Sequence, residues 1–350
     1  MSVDALPLFA LQVALILLLT QVSGRLLAAL GLAAVVGEML AGIALGPSLL
    51  GQLAPTWQHA LFPAGSLAPL ATCAKVGVMF YMLLSGLDMD FSALRSERRA
   101  VLTLTLAGSI VPFLLGALLA WPLLTQGGLF GPQAMPLRAT IFLGLCFAIT
   151  ALPVLARLLD ELGLTQDRLG RWALGASAGS DLLAWVVVAL TLSQGELNGL
   201  LIPAMLLVGV TLRGTPLATA LRRLRPLCLL LLPIYFVMVG LKTDFAGLLQ
   251  GGHWGLVAAV LAAALGGKLL AGVVAGRALG LAQADAWRLG LMLNTRGLME
   301  LILLEQGRSS GLIGPELHGV LVLMTLVTTV MAAPLLRLMQ ASRRHLTVPE

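Results

Sequence analysis

Long apolar runs, most of them long enough for a membrane-crossing helix, recur along the whole of this 350-residue chain. A helix needs about 20 mostly apolar residues to cross a bilayer. Hydrophobic residues make up 59% of the chain and charged residues only 11%, whereas soluble domains contain roughly 45–50% apolar and about 25% charged residues. A soluble fold cannot bury so much apolar surface, and the runs lack the alternation that is typical of membrane β-barrel strands. The sequence therefore predicts an all-α polytopic membrane protein.

We predict eleven membrane spans. They cover residues 6–29, 33–51, 66–88, 100–124, 138–162, 169–193, 199–213, 226–242, 253–279, 284–306 and 313–339. With the N-terminus outside, sixteen of the 22 lysine and arginine residues fall on the inner side, and only Arg138, Lys242 and Arg308 fall on the outer side. Cytoplasmic loops carry an excess of basic residues, so we expect the N-terminus outside and the C-terminus inside. The net charge of +6 is then a topology signal and does not indicate a nucleic-acid partner.

A short motif is repeated on opposite predicted faces of the membrane. SGLDMDF at 85–91 ends the third predicted span, and VGLKTDF at 239–245 ends the eighth. A chance match is the alternative, but inverted-topology repeats are common in secondary transporters. We interpret 1–350 as a single membrane transporter domain, with a first repeat at about 6–193 and a shortened second repeat at about 199–339. We expect no cytoplasmic regulatory domain.

Asp181 lies in the middle of the sixth predicted span, within GASAGSDLLAW. Ionisable residues inside a span are costly and therefore indicate function. A buried carboxylate can hold a proton or a small cation but not readily both, and this competition is the minimum that proton-coupled exchange requires. Ser180 and Ser177 offer hydroxyl oxygens suited to a hard cation. The alternative for either serine is a packing role between helices, which we favour for Ser177. The alternative is that Asp181 pairs structurally with a neighbouring span.

Two predicted spans are interrupted. In AITALPVLAR, Pro153 removes a backbone donor and frees a carbonyl near Ile149 and Thr150. The tenth span has four polar residues at the corresponding repeat position, in LNTRGLMEL: Asn294, Thr295, Arg296 and Glu300. Interrupted helices at matching repeat positions indicate a binding site near the middle of the membrane. The alternative is a proline kink together with a structural Arg296–Glu300 pair at i, i+4 spacing, and for the pair itself we favour this simpler interpretation.

Other ionisable residues inside the spans have less specific interpretations. Lys268 lies too deep to extend to the membrane surface and therefore needs a buried partner. Glu38 and Lys75 are interpreted as structural partners or interface residues. No HExxH or GxSxG motif is present, the cysteines lack metal-ligand spacing, and the histidines are scattered. The sequence therefore indicates neither an enzyme nor a cofactor.

Five motifs resemble the monovalent cation:proton antiporter-2 family, which belongs to the sodium/proton and potassium/proton exchanger superfamily. They are VVGEMLAGIALGPSLLG (35–51), FAITALPVLARLLDELG (147–163), SDLLAW (180–185), PIYFVMVGLKTDF (233–245) and LGLMLNTRGLMELILL (289–304). The resemblance implies exchange of Na⁺ or K⁺ for H⁺ by a core that moves against a dimerisation scaffold, in a homodimer in the cell membrane, here the bacterial inner membrane. It also implies an antiporter fold with two crossing discontinuous helices, which are spans five and ten here.

The resemblance assigns roles to residues of this chain. Asp181 matches the ion-binding aspartate, Thr150 and Pro153 match the first crossing, and Lys268 matches a buried lysine before the second crossing. The polar run of the second crossing matches Asn294, Thr295, Arg296 and Glu300.

The chain departs from the family pattern in two ways. Many members carry two acidic residues, or Asn-Asp, where this chain has Ser180–Asp181, so the resemblance implies an electroneutral exchange of one proton per cation. Members have about thirteen spans, and this chain lacks two between 193 and 199, which affects the scaffold. Two alternatives therefore stay open: a non-transporting membrane subunit or sensor that keeps the fold, and an organic-anion transporter in which Arg296 or Lys268 binds the substrate.

Overall fold

The computed structural model describes residues 6–32, 34–89, 96–132, 134–191, 197–245 and 252–346. Within these ranges the regular structure is helical, apart from one isolated antiparallel bridge between Phe130 and Ile313. The prediction of an all-α protein is therefore confirmed. The last two residues of the first repeated motif, Asp90 and Phe91, and residues 193–196 of the predicted boundary between the repeats lie outside the described residues.

The helices are numbered here in chain order. They are α1 (Leu6–Ala29), α2 (Ala34–Leu45), α3 (Leu50–Leu53), α4 (Pro55–Leu61), α5 (Leu67–Asp88), α6 (Arg98–Leu124), α7 (Pro136–Ala148), α8 (Leu152–Glu161), α9 (Arg168–Thr191), α10 (Leu197–Leu212), α11 (Pro216–Arg222), α12 (Arg225–Leu241), α13 (Trp254–Ala278), α14 (Gln283–Leu293), α15 (Leu298–Ser309) and α16 (Pro315–Leu346).

Eight helical segments in the described part of the chain are long and apolar enough to cross a membrane, and α11 with α12, bent by 51°, would make a ninth. Two of the eleven predicted spans differ from this pattern. The one at 199–213 corresponds to a shorter apolar helix, and the one at 284–306 is divided into α14 and α15. The chain is thus a multi-pass membrane protein, and the count of eleven spans stays a prediction.

The chain divides into two compact units, each built from two separate stretches. Unit 1 contains Met1–Met89 and Ser193–His253, and unit 2 contains Asp90–Leu192 and Trp254–Glu350. Each unit therefore combines an early and a late part of the sequence. The predicted repeats, by contrast, divide the chain into an early and a late half at 193–199. Each predicted repeat therefore contributes residues to both units, and the repeats stay a prediction.

Glycines allow the helices of unit 1 to approach closely. A Cβ atom on Gly240 of α12 would lie 2.1 Å from the carbonyl carbon of Gly42 in α2, and one on Gly86 of α5 would lie 2.3 Å from Leu206 O in α10. Such contacts leave no room for a side chain. In membranes, where lipid is as apolar as the helix surfaces, close packing of small residues is a main source of helix association.

Replacing Gly240 by valine should therefore separate α2 from α12 and destabilise the protein, since two branching carbons would enter space that the Gly42 backbone occupies. Overpacking of this kind costs about 1–3 kcal/mol, which would appear as a lower thermal unfolding midpoint in detergent. Gly266→Ala is a matched control, because a Cβ there meets nothing within 4 Å. Equal midpoints for Gly240→Val and Gly266→Ala would contradict the packing.

Unit 2 contains the same order of helices twice. A long helix (α6), a broken pair (α7 and α8) and a long helix (α9) are followed later in the chain by α13, the broken pair α14 and α15, and α16. α6 packs against α7, α9 and α13, and α13 also packs against α14 and α16. The two interruptions predicted from the sequence are present: α7 ends at Ala148 before α8 begins at Leu152, and α14 ends at Leu293 before α15 begins at Leu298.

Candidate functional site

The two breaks of unit 2 are joined by hydrogen bonds. The Thr150 hydroxyl donates to Leu293 O over 2.9 Å, and Ala151 N donates to Thr295 O over the same distance. Backbone groups that leave regular helix inside an apolar protein need partners, and here each break supplies partners for the other. Pro153 lies in the first turn of α8, where its missing N–H costs no helical hydrogen bond.

Asp181 is fully buried on α9 beside the first break. Its Oδ2 accepts a hydrogen bond of 3.4 Å from Leu152 N, at the beginning of α8. Its Oδ1 has no hydrogen-bond partner among the residues that the structure describes. A carboxylate is favoured at a helix N-terminus by the backbone N–H groups there, so α8 orients Asp181 while one carboxylate oxygen stays available.

The serines near Asp181 hold the broken segment in place. Ser177 Oγ donates to Thr150 O over 2.8 Å, and Ser180 Oγ donates to Ala148 O over 3.2 Å. Ser109 on α6 donates in turn to Ser180 Oγ over 3.2 Å. Both predicted serines of α9 therefore donate to carbonyls at the end of α7 or in the break after it. These hydrogen bonds hold the break beside Asp181.

Lys268 is fully buried on α13 and binds oxygens that carry no formal charge. Its Nζ donates to Gly108 O (3.0 Å), Ala148 O (2.5 Å) and Thr150 Oγ1 (2.7 Å). An ammonium group has three donors, and all three are used. The buried partners expected for Lys268 are thus oxygens of α6, of the end of α7 and of the first break. Lys268 forms no ion pair with Asp181 within the described residues.

A proline explains why Gly108 O is available to Lys268. Pro112, four residues further along α6, has no N–H to donate to that carbonyl. A Cβ on Gly267 would lie 3.1 Å from Pro112 Cα, so α13 approaches α6 closely at this point and places the next residue, Lys268, beside the free carbonyl. This acceptor was not predicted from the sequence, although a proline inside an apolar span is the signal that could have revealed it.

Arg296, between α14 and α15, also binds the end of α7. It donates to Cys146 O and to Phe147 O (3.1 Å), and its Nη1 lies 2.8 Å from Glu300 Oε1. Both members of the ion pair are fully buried. Two cations, Lys268 and Arg296, therefore bind the last carbonyls of α7, where positive charge complements the helix dipole.

The structure brings most of the predicted residues together in unit 2. Asp181, Ser180, Thr150, Pro153, Lys268, Thr295 and Arg296 are linked through the two breaks, Glu300 joins them through Arg296, and Asn294 lies in the second break. Glu38 and Lys75 belong to unit 1. Thr329 on α16 was not predicted from the sequence; its hydroxyl lies 3.0 Å from Arg296 O and 2.6 Å from Thr325 O of its own helix.

Comparison with known proteins gives consistent matches. The family described as sodium/hydrogen exchanger, transmembrane, matches residues 13–205 and 201–339. Cation/H(+) antiporter 18 of Arabidopsis thaliana is 31% identical over 94% of this chain and 48% of its own length. Na(+)/H(+) antiporter NhaS4 of Synechocystis is 30% identical over 96% of this chain and 98% of its own length. The chain thus spans about half the length of the plant relatives it matches.

A solved structure agrees in fold. The sodium proton antiporter MjNhaP1 from Methanocaldococcus jannaschii superposes with a TM-score of 0.64, over 98% of this chain and 99% of that one, at 14% identity. At this identity the likeness concerns the fold alone. The family match covers far more than half of the sequence, and the resemblance to monovalent cation:proton antiporters is confirmed. The chain belongs to the sodium/hydrogen exchanger family.

Proposed function

We propose that this protein exchanges a monovalent cation, Na⁺ or K⁺, for protons across a membrane, with Asp181 binding the two ions in turn. Family membership supports exchange of this kind, and so do the relatives, which are named as cation/H(+) and Na(+)/H(+) antiporters. The observation that carries the proposal is the state of Asp181. It is fully buried at the meeting point of two broken helices, with one oxygen on Leu152 N and the other without a partner in the described residues.

This arrangement supports exchange. An unpaired charge buried in protein is strongly unfavourable, so the Asp181 carboxylate needs either a proton or a cation before its surroundings can close around it. Lys268 forms no ion pair with this carboxylate within the described residues, since its three donors are bound to uncharged oxygens, so its charge acts on Asp181 only through space. Only the two loaded forms then change conformation readily, and this condition couples the two ion flows.

The arrangement of unit 2 supports the inverted repeat. The order of long helix, broken pair and long helix occurs twice, and the two broken pairs meet. We therefore propose that unit 2 is the transporting core and unit 1 the scaffold of an inverted-repeat antiporter with about eleven spans, the N-terminus outside and the C-terminus inside. A homodimer and the bacterial inner membrane stay predictions from the family resemblance.

Two observations support the loss of spans between the repeats. The family matches this chain in two stretches that meet at 201–205. The alignment with NhaS4 extends over 402 residues although this chain has only 350, so that relative contains residues without a counterpart here. We propose that the missing part belongs to the scaffold and leaves the core of unit 2 complete.

The test of the proposed function is cation-dependent proton movement. In everted membrane vesicles acidified by respiration, a quenched pH-sensitive dye should recover fluorescence when Na⁺ or K⁺ is added. Choline chloride at the same concentration controls for ionic strength. A lack of recovery with Na⁺, K⁺ and Li⁺ alike would contradict exchange and favour a non-transporting subunit, while recovery with an organic anion only would indicate an anion transporter.

We expect the exchange to be electroneutral, since Asp181 is the carboxylate that changes occupant and Ser180 stands where many relatives have a second acid. In proteoliposomes, an imposed membrane potential should then leave the initial rate unchanged. Ser180→Asp adds a second carboxylate and should make the rate depend on the potential. A voltage-dependent rate in the unmodified protein would contradict the one-for-one stoichiometry.

A further inference from the structure

The Asn294 side chain is fully buried at the C-terminal end of α14, and no partner for it is found among the described residues. This applies to both polar atoms of the amide, Oδ1 and Nδ2. Buried polar side-chain atoms are hydrogen-bonded in the large majority of cases, and an exception needs an explanation. The adjacent Thr295 shows the usual behaviour, since its hydroxyl donates to Met292 O over 3.0 Å.

Asn294 occupies a central position at the crossing of the two breaks. The carbonyl of the preceding residue, Leu293, accepts from Thr150, and the carbonyl of the following residue, Thr295, accepts from Ala151 N. The residue after Ala151 is Leu152, whose N–H binds Asp181. Asn294 therefore lies between the two residues whose carbonyls join the breaks, and its neighbour Thr295 binds Ala151, the residue before the one that orients Asp181.

Two buried oxygens without partners in the described residues thus lie at the two joined breaks, Asp181 Oδ1 beside the first and Asn294 Oδ1 in the second. A hard cation that leaves water needs several oxygen ligands, and carboxylate and amide oxygens are suitable ones. One aspartate supplies the charge but too few ligands. The Ser180 oxygen already takes part in two hydrogen bonds, one donated to Ala148 O and one accepted from Ser109.

We infer that Asn294 is a ligand of the transported cation and helps to set the affinity of the protein for it. This inference rests on the proposed function, because it concerns the cation that Asp181 exchanges for a proton. A neutral amide oxygen adds a ligand without adding a second negative charge, so it preserves the one-for-one exchange. It also favours the cation-loaded form alone, since a proton on Asp181 does not need further oxygen ligands.

The experiment compares Asn294→Ala with Thr328→Val, a control that removes a buried hydroxyl bonded to Met324 O of its own helix. Initial rates in everted vesicles give the KM for Na⁺ and K⁺ at constant pH. Removing an uncharged partner of a charged group weakens binding by roughly tenfold or more. We therefore expect Asn294→Ala to raise the KM of the transported cation by roughly tenfold while the maximal rate is kept, and Thr328→Val to leave the KM unchanged.

A binding measurement provides a second readout that does not depend on transport. The cation should raise the thermal unfolding midpoint of the purified protein and of Thr328→Val, since a ligand stabilises the state that binds it. The same cation concentration should raise the midpoint of Asn294→Ala much less. Asn294→Ser keeps an oxygen on a shorter side chain and should give a KM between those of the unmodified protein and Asn294→Ala.

The outcomes separate this inference from the proposed function. A lack of any cation response in the unmodified protein would contradict the exchange itself. Normal exchange in the unmodified protein, with an unchanged KM and an unchanged thermal shift in Asn294→Ala or Asn294→Ser, would overturn the inference alone. The amide would then have a structural role, for example to hold an ordered water.

Discussion

Replacing Asp181 by asparagine should abolish cation-dependent proton movement while the protein remains folded. Asparagine has nearly the same shape, and its amide oxygen can still accept from Leu152 N, so α8 and α9 keep their contact. It cannot take up a proton or carry the negative charge that a cation requires. In everted vesicles, addition of Na⁺ or K⁺ should then produce no recovery of dye fluorescence at a protein level equal to that of the unmodified protein.

The matched control is Glu161→Gln, which also removes one carboxylate from unit 2. Glu161 forms an i, i+4 pair with Arg157 in which both side chains are partly exposed, and exposed pairs contribute little to stability. We expect exchange by Glu161→Gln to equal that of the unmodified protein. Normal exchange by Asp181→Asn would contradict the proposed mechanism and would move the search for the exchanged proton to Glu300, another buried carboxylate of the site.

Arg296→Met should be among the most destabilising single changes in unit 2. The substitution removes the donors to Cys146 O and Phe147 O at the end of α7, and it leaves Glu300 without its ion-pair partner. Removing one member of a buried ion pair costs about 3–5 kcal/mol, because the other charge stays buried without compensation. A large fall of the thermal unfolding midpoint of the purified protein, at neutral pH, would confirm this prediction.

The double variant Arg296→Met/Glu300→Leu separates the two causes. If the uncompensated Glu300 charge is the main cause, the double variant should be more stable than Arg296→Met alone, as expected for residues that interact directly. It should remain less stable than the unmodified protein, since the carbonyls of α7 still lack their donor. Equal stability of the single and the double variant would contradict an energetic coupling between Arg296 and Glu300.

The all-helical fold and both helix breaks could be predicted from the sequence because their signals are local. Twenty-residue apolar runs require helices, and the polar run that contains Asn294 and Arg296 is unusual in a span. The division into two units could not be predicted in the same way. It depends on pairing early with late segments, and the glycines that mediate such pairing, for example Gly42 with Gly240, look like any others in an apolar chain.

The partners of the buried charged residues could also be predicted only in part from the sequence. The sequence predicts the Arg296–Glu300 pair from the spacing of neighbours on a helix, and the structure contains this pair, although Arg296 precedes α15, which begins at Leu298. The role of Arg296 at the end of α7 depends on a contact with residues about 150 positions away, and the sequence gives no local sign of it. For Lys268, by contrast, the free carbonyl of Gly108 could have been expected from Pro112.

The most direct test of the central claim, that one carboxylate holds either a proton or a cation, is proton release on cation binding. Purified protein in weakly buffered detergent solution is titrated with Na⁺ or K⁺ while the pH is recorded, and the thermal unfolding midpoint confirms binding in parallel. Because a cation binds the deprotonated ligand, we predict release of about one proton per protein molecule when Asp181 is initially protonated, and none from Asp181→Asn. Cation binding without proton release, or equal release from Asp181→Asn, would contradict the claim.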